Sequence, residues 1–251
     1  MENLASHSGS ERQDNMAYTL YGMGSPNVVK VVIALEELGQ PYELVHVDVF
    51  RGAQRDPAFL ALNPNGKTPV LVEPRADGDF VLFESGAIMD RLASRHGAFG
   101  GADGDAQATV RQWLAFQMAN CGPTFGQAIH FTFVTNECPY GENRFQIEMR
   151  KQLRLIEARL ASAGYLAGDY SIADMALWPW IRTLEMFFAD DLKTPALQAW
   201  FADIAARPAV AAAVAHMDTI AKLDREARRS ASPEQLDRYF GRVAWPDQGP
   251  D

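Results

Sequence analysis

Apolar positions change rhythm along the chain. Between residues 18 and 98 short alternating stretches are interleaved with helical ones, whereas from 105 to 223 a three- and four-residue spacing runs nearly throughout. In the first part, residues 17–21 and 42–47 read as strands on either side of a helix over 27–38, which Gly39 stops. A short helix over 57–62 follows. Two strands, 69–72 and 80–83, flank the turn-rich 74–79, and a helix over 85–95 closes the unit. The order βαβ then αββα requires a parallel pair joined by a right-handed crossover, plus a hairpin with a covering helix. A small mixed sheet with helices on both faces is expected.

Small residues and glycines over 98–104 suit a linker. Beyond it, helices are expected over 107–118, 141–161, 196–206 and 208–216, with a break at Asn136-Glu137-Cys138-Pro139. Ser171-Ile172-Ala173-Asp174 has the serine and the acid of a capping box, a helix-start signal with a folding role. The expected organisation is therefore a polar, disordered leader over 1–16, a first domain over 17–97, the linker 98–104, a helical domain over 105–223, and a loosely attached charged tail over 224–251.

Composition narrows the classes. The 251 residues are 47% hydrophobic and 22% charged, an ordinary globular mixture. The net charge of −9, without a basic block, offers no footprint for a phosphate backbone, so nucleic acid is not an expected partner. No apolar run approaches the roughly 20 residues that span a bilayer, and the leader lacks the apolar core of a secretory signal. A soluble, cytoplasmic protein with no membrane partner is expected. Cys121 and Cys138 form no CxxC pair, and the five histidines show no metal-ligand spacing; no metal is expected.

Three places have the residues for chemistry. Gly24-Ser25-Pro26-Asn27 joins the first strand to the first helix and puts a hydroxyl and a carboxamide at a helix N-terminus, where an anion such as a thiolate is stabilised. Neither Ser25 nor Asn27 is a cysteine, so any reacting sulfur must arrive with a ligand. Simple capping explains the same residues. In Asn65-Gly66-Lys67-Thr68-Pro69-Val70, a cis Pro69 would hold the Thr68 backbone toward an extended peptide; a trans proline opening a strand is the ordinary alternative. Glu84-Ser85-Gly86 precedes a helix and suits both charged ends of an α-amino acid: the helix N-terminus and the Ser85 hydroxyl for the carboxylate, Glu84 for the ammonium. Ser85 could instead cap its own helix.

In this order and spacing, the three segments resemble the cytosolic glutathione transferase superfamily over residues 18–220. Within it they are similar to the Nu class of bacterial, disulfide-bond oxidoreductase-like enzymes and their fungal nitrogen-regulator-like relatives. Ser25-Pro26-Asn27 matches a Thr-Pro-Asn segment, keeping the hydroxyl but losing a methyl. Asn63-Pro64-Asn65-Gly66-Lys67-Thr68-Pro69 matches the loop before a cis-proline, and Tyr170–Trp180 matches a helical-domain signature. The resemblance implies a thioredoxin-like, glutathione-binding N-terminal domain followed by an all-helical C-terminal domain, in a homodimer.

It also implies roles. Ser25 and Asn27 would be catalytic. Thr68 and cis Pro69 would meet the cysteinyl part of glutathione, Glu84 and Ser85 its γ-glutamyl end, and Gln54 and Lys67 its glycine end. Phe125, Tyr140 and Arg144, with Phe131 and Phe133 nearby in sequence, would line the second-substrate pocket. Glutathione would be the co-substrate. The partner would be a small-molecule disulfide, reduced by thiol–disulfide exchange, or an aromatic electrophile, taken by conjugation or ether cleavage. A glutathione-binding regulatory protein with little catalysis is the third reading.

Overall fold

The computed structural model describes residues 17–135 and 137–246. The leader expected over 1–16, Asn136 of the expected break and residues 247–251 lie outside the described residues.

The first unit holds β1 (Tyr18–Gly22), α1 (Pro26–Glu37), β2 (Tyr42–His46), α2 (Pro57–Leu62), β3 (Val70–Glu73), β4 (Phe80–Phe83) and α3 (Ser85–His96). The strands lie in the order β2-β1-β3-β4. β1 runs parallel to β2 and antiparallel to β3, and β3 runs antiparallel to β4. Alternation along β1 buries Tyr18, Leu20 and Gly22 on one face. That face meets α1, whose residues Val28 to Leu35 are all buried. A helix that is apolar all round needs cover on every side. The sheet supplies one side, while α3 and two helices of the second unit supply the rest.

The second unit is helical: α4 (Gly104–Phe116), α5 (Gly122–Ile129), α6 (Pro139–Ala163), α7 (Ile172–Phe188), α8 (Pro195–Ala205), α9 (Pro208–Ser230) and α10 (Pro233–Tyr239). A π-helical stretch, Gln117–Cys121, joins α4 to α5, and a second, His130–Val134, extends α5, so that one continuous rod runs from 104 to 134. The sequence pattern predicts only its first part, because a 3.6-residue period does not register the wider π turns.

One expectation needs correction. Residues 224–246 do not form a loose tail. α9 runs unbroken past residue 223 to Ser230, with Asp224 and Ala227 buried three residues apart and the arginines and Glu226 turned outward. α10 opens with a capping box between Ser232 and Gln235, and Tyr239 packs on Phe50 of the first unit at 4.5 Å. The helix expected to end at His216 is therefore the first half of α9. The linker, for its part, is docked. Ile172 N donates to Phe99 O at 3.1 Å, and the Phe99 ring meets Tyr170 edge-on at 5.8 Å.

The capping box at Ser171 forms as its residue types require. Asp174 is fully buried and accepts from the Ser171 amide and hydroxyl, from Leu166 N at 3.0 Å and from Trp200 Nε1 at 2.9 Å. One carboxylate thus ties the start of α7 to the loop before it and to α8. Asp174→Ala leaves these buried donors unpaired, so a loss of at least about 3 kcal/mol is expected in urea denaturation, against about 1 kcal/mol for Ser171→Ala. Equal, small losses would show that the box is not a folding element.

Candidate functional site

Where the two units meet, a cavity of ≈ 440 Å³ opens over the N-terminal ends of α1 and α3. Asn27, Lys67, Thr68, Pro69, Glu84 and Ser85 line it from the first unit. The second unit contributes residues of the π stretch and α5 together with Trp180. Three loops distant in sequence come together here, each held by a specific contact; Asn27 lines the cavity, whereas Ser25, just before it, is not among the lining residues.

At the first loop, Ser25 occupies the N-cap of α1 in an extended conformation, and its side chain makes no capping bond. Its carbonyl accepts the first intrahelical bonds, from Val28 N and Val29 N at 3.0 Å each. Asn27 Oδ1 accepts from Trp180 Nε1 at 3.3 Å. An indole N–H only donates, so the carbonyl end of the amide must face Trp180 and the NH₂ end is left as a donor. Just upstream, Gly24 N donates to Asp224 Oδ2 at 2.6 Å, and Asp224 Oδ1 also meets His46 Nε2 at 2.9 Å. A Cβ on Gly24 would stand 2.5 Å from that carboxylate oxygen, so only glycine allows the approach. Asp224 thus pins the Ser25 turn from 200 residues away in sequence.

At the second loop, the Thr68–Pro69 peptide is cis. Buried Asn63 organises the approach: its Nδ2 donates to Lys67 O at 2.6 Å, and its Oδ1 accepts from Asn65 N at 3.0 Å. At the third loop, Glu84, not Ser85, is the N-cap of α3, and its side chain makes no capping bond. Ser85 is the first helical residue, and its hydroxyl reaches Met118 Sδ at 3.8 Å. The simple capping explanation for Ser85 therefore fails. Glu84 adopts φ 69°, ψ 106°, a region that costs a non-glycine residue about 1–3 kcal/mol. That conformation sets its backbone and carboxylate at the cavity wall.

Other expected site residues lie elsewhere. Gln54 is buried in a 3₁₀ turn (Ala53–Arg55) outside the lining, its backbone carbonyl 3.1 Å from where a Cβ on Gly66 would stand. Phe125 is fully buried in the core, Tyr140 is 74% exposed in the first turn of α6, and Arg144 is exposed one turn further on. None of the three lines the cavity. Phe131 stacks on Phe145 at 5.4 Å, and Phe133 leans on Phe187 and Phe188. The physical reason is the π stretch before α5. Its wider turns change which face of the rod meets the first unit, so Gln117, Gly122, Pro123, Gly126 and Gln127 are presented there instead.

Sequence reasoning also misses Lys30, fully buried within α1, whose ammonium donates to Gln117 Oε1 at 3.0 Å. Burial pushes it down to about 7, against the pull of the Glu84 charge. A lysine inside the run Val28–Leu35 is the one signal that singles it out. The Cys121 thiol is buried and pushed up by desolvation, which keeps it protonated and inert; Cys138 lies outside the lining. Among the described residues no group of three or more histidines, cysteines or acids could hold a metal ion, and no helix is long and apolar enough to cross a membrane.

Comparison with known proteins places this architecture. The profile of the glutathione S-transferase N-terminal domain matches residues 20–100, and that of the glutathione S-transferase C-terminal domain matches residues 129–208. The disulfide-bond oxidoreductase YfcG of Escherichia coli (strain K12) is 37% identical over 200 residues, which cover 78% of this chain and 93% of that protein. A glutathione transferase of Pseudomonas putida, solved with one glutathione disulfide bound per subunit, superposes with a TM-score of 0.75 at 34% identity, over 84% of this chain and 93% of that one. The glutathione transferase URE2P6 of Phanerochaete chrysosporium, solved with oxidized glutathione, gives a TM-score of 0.76 at 29% identity, over 81% of this chain and 97% of that one. With both domain profiles matched and this identity sustained over most of its length, the chain belongs to the glutathione S-transferase family.

Proposed function

We propose that the cavity binds glutathione and that the protein, as a Nu-class-like member, activates the bound thiolate for thiol–disulfide exchange. The observation that carries this is the α1 N-terminus: a hydroxyl free of capping duty and a carboxamide whose NH₂ end is set outward, with no cysteine of the protein beside them. In this reading the Glu84 carboxylate takes the γ-glutamyl ammonium, while Ser85 and the α3 N-terminus take the carboxylate. The Thr68 backbone pairs with the cysteinyl part and Lys67 holds the glycine carboxylate. Gln54 supports that end from its turn beside Gly66.

A free thiol has a pKa of about 8.5, so little of it is thiolate at neutrality. Lowering it by about two units takes roughly 2.7 kcal/mol of preferential anion stabilisation. Hydrogen bonds to a charged group contribute about 1.5–3 kcal/mol each, so Ser25 Oγ, Asn27 Nδ2 and the α1 N-terminus suffice together without any one being indispensable. The thiolate attacks one sulfur of the substrate disulfide, forming a mixed disulfide and releasing the other half as a thiolate. A second glutathione thiolate then attacks the mixed disulfide, giving glutathione disulfide and the second product thiolate.

The second-unit wall mixes Gln117 and Gln127 with Met118, Pro123 and a single aromatic ring, Trp180, and lacks the phenylalanine cluster that the conjugation reading expects. The bacterial relatives named as disulfide-bond oxidoreductases support thiol–disulfide exchange. Intact Ser25 and Asn27 weigh against a purely regulatory protein. The homodimer and the cytoplasmic setting implied by the resemblance belong to this reading.

Reduction of a small model disulfide, coupled to glutathione reductase, tests the proposal; a rate no greater than the uncatalysed one, beside turnover of aryl halides, would replace it with conjugation. Ser25→Ala and Asn27→Ala are each expected to lower kcat/KM by about ten- to hundred-fold without abolishing it. Complete loss in Ser25→Ala would give that hydroxyl a sole rather than a shared role. Asp224→Ala releases the Gly24 amide and is expected to cost about ten-fold in the same assay while the far-UV spectrum is kept; an unchanged rate would mean that the turn holds itself.

A further inference from the structure

One charged side chain behind the cavity wall has no part in the chemistry above. Lys30 is fully buried in α1, and among the described residues it forms no salt bridge. Its Nζ lies 3.0 Å from Gln117 Oε1 and 3.0 Å from Met118 Sδ, the two residues of the π stretch that line the cavity. The charged group facing it is Glu84, from the turn before α3; the partners from the π stretch are neutral.

The consequence falls on Gln117. That residue is only 1% exposed, and its Nε2 has no hydrogen-bond partner within the protein. As an ammonium Lys30 only donates, so the end of the amide facing it is the carbonyl, and the NH₂ end points away from it. Asn27 is turned by the same logic, with the Trp180 indole in the place of Lys30. The two amides share one part of the wall. A Cβ at Gly122 would stand 3.3 Å from Gln117 Nε2 and 3.5 Å from Trp180 Cε2, the ring atom next to the nitrogen that binds Asn27. Two carboxamides, each held by its oxygen, thus have their NH₂ ends near one indole edge, that of Gln117 withdrawn from the surface and without a partner. A buried donor without a partner is unfavourable unless something else accepts from it.

We propose that Gln117 is a further donor, and the second carboxamide, to the reacting sulfur of bound glutathione, and that Lys30 is the positioning residue that aims it there, an inference that rests on the glutathione reading of the cavity. The acceptor is an anion created in the site, where a fixed N–H dipole needs no reorganisation. Lys30 serves this role as the ammonium, which has no lone pair to accept from Gln117 Nε2 and so holds the amide by its oxygen.

The test is the ionisation of bound glutathione, followed by thiolate absorbance against pH, with calorimetry for binding. Gln117→Glu keeps the contact with Lys30 as an ion pair but removes the donor, and Gln117→Met removes both contact and donor. Lys30→Met frees the amide to turn. Each variant is expected to raise the apparent pKa of the bound thiol by about one unit, so that disulfide reduction at pH 6 falls about ten-fold. The double variant Lys30→Met/Gln117→Met is expected to shift it no further than either change alone, because the pair acts as a unit. A merely structural role would lower the melting temperature and leave the thiol pKa where it was. Folded Gln117 variants that bind glutathione with the wild-type thiol pKa would overturn the inference, and they decide it even if Lys30→Met does not fold. Failure of the wild-type protein to bind glutathione would instead remove the underlying reading of the cavity.

Discussion

Burial of α1 on every side is the constraint from which the rest of the structure follows. Eight consecutive residues, Val28 to Leu35, are withdrawn from water, and the four-stranded sheet covers only one face. The helical unit has to complete the cover. One core cluster therefore runs from Tyr18 of β1 through α1 to Ile220 of α9, without respecting the boundary between the units. A helix so enclosed keeps its ends as the only places where its unpaired backbone groups can meet a ligand or a partner. The end that faces the cavity is the one that carries Ser25 and Asn27.

Both ends of that helix are fastened by the second unit. At the C-terminal end, Glu37 accepts from Arg207 at 2.6 and 2.9 Å and from the Tyr170 hydroxyl at 3.1 Å. At the N-terminal end, Asp224 holds the Gly24 amide and Trp180 holds the Asn27 carbonyl. None of these contacts is a large contribution to stability by itself. Their value lies in geometry. A carboxamide whose oxygen is already engaged presents its N–H groups in one direction, so the site meets an incoming anion without having to rearrange. On the second-unit wall the π stretch contributes Gln117 and Met118, while Phe125 of α5 is buried in the core.

Much of the first unit was legible because its signals are local. Strand alternation, the Pro26 and Gly39 punctuation of α1 and the hairpin around residues 74–79 depend on near neighbours, and the observed elements agree to within about two residues. The capping box at Ser171 was legible for the same reason. The Ser25, Thr68 and Glu84 segments were recognisable as places for chemistry because each is a loop or helix start with an unusual residue set. By contrast, the run of charges after residue 223 misled. A helix face that is buried by only Asp224 and Ala227 leaves too thin an apolar stripe to be told from a solvated tail. The aromatic pocket also misled, since composition says that rings are present but not which way they turn.

The sequence by itself determined the two-unit architecture, the family likeness and the absence of a cysteine at the α1 N-terminus, since these rest on local periodicity, residue identity and spacing. Only the tertiary structure decided that Gln54 lies outside the cavity lining, that Lys30 and Gln117 meet, that Asp224 reaches Gly24, and that Trp180 engages Asn27. The reason is physical. A hydrogen bond between residues 87 or 200 positions apart is set by how helices pack, and packing answers to the summed shape of every side chain between them rather than to any short stretch of the chain.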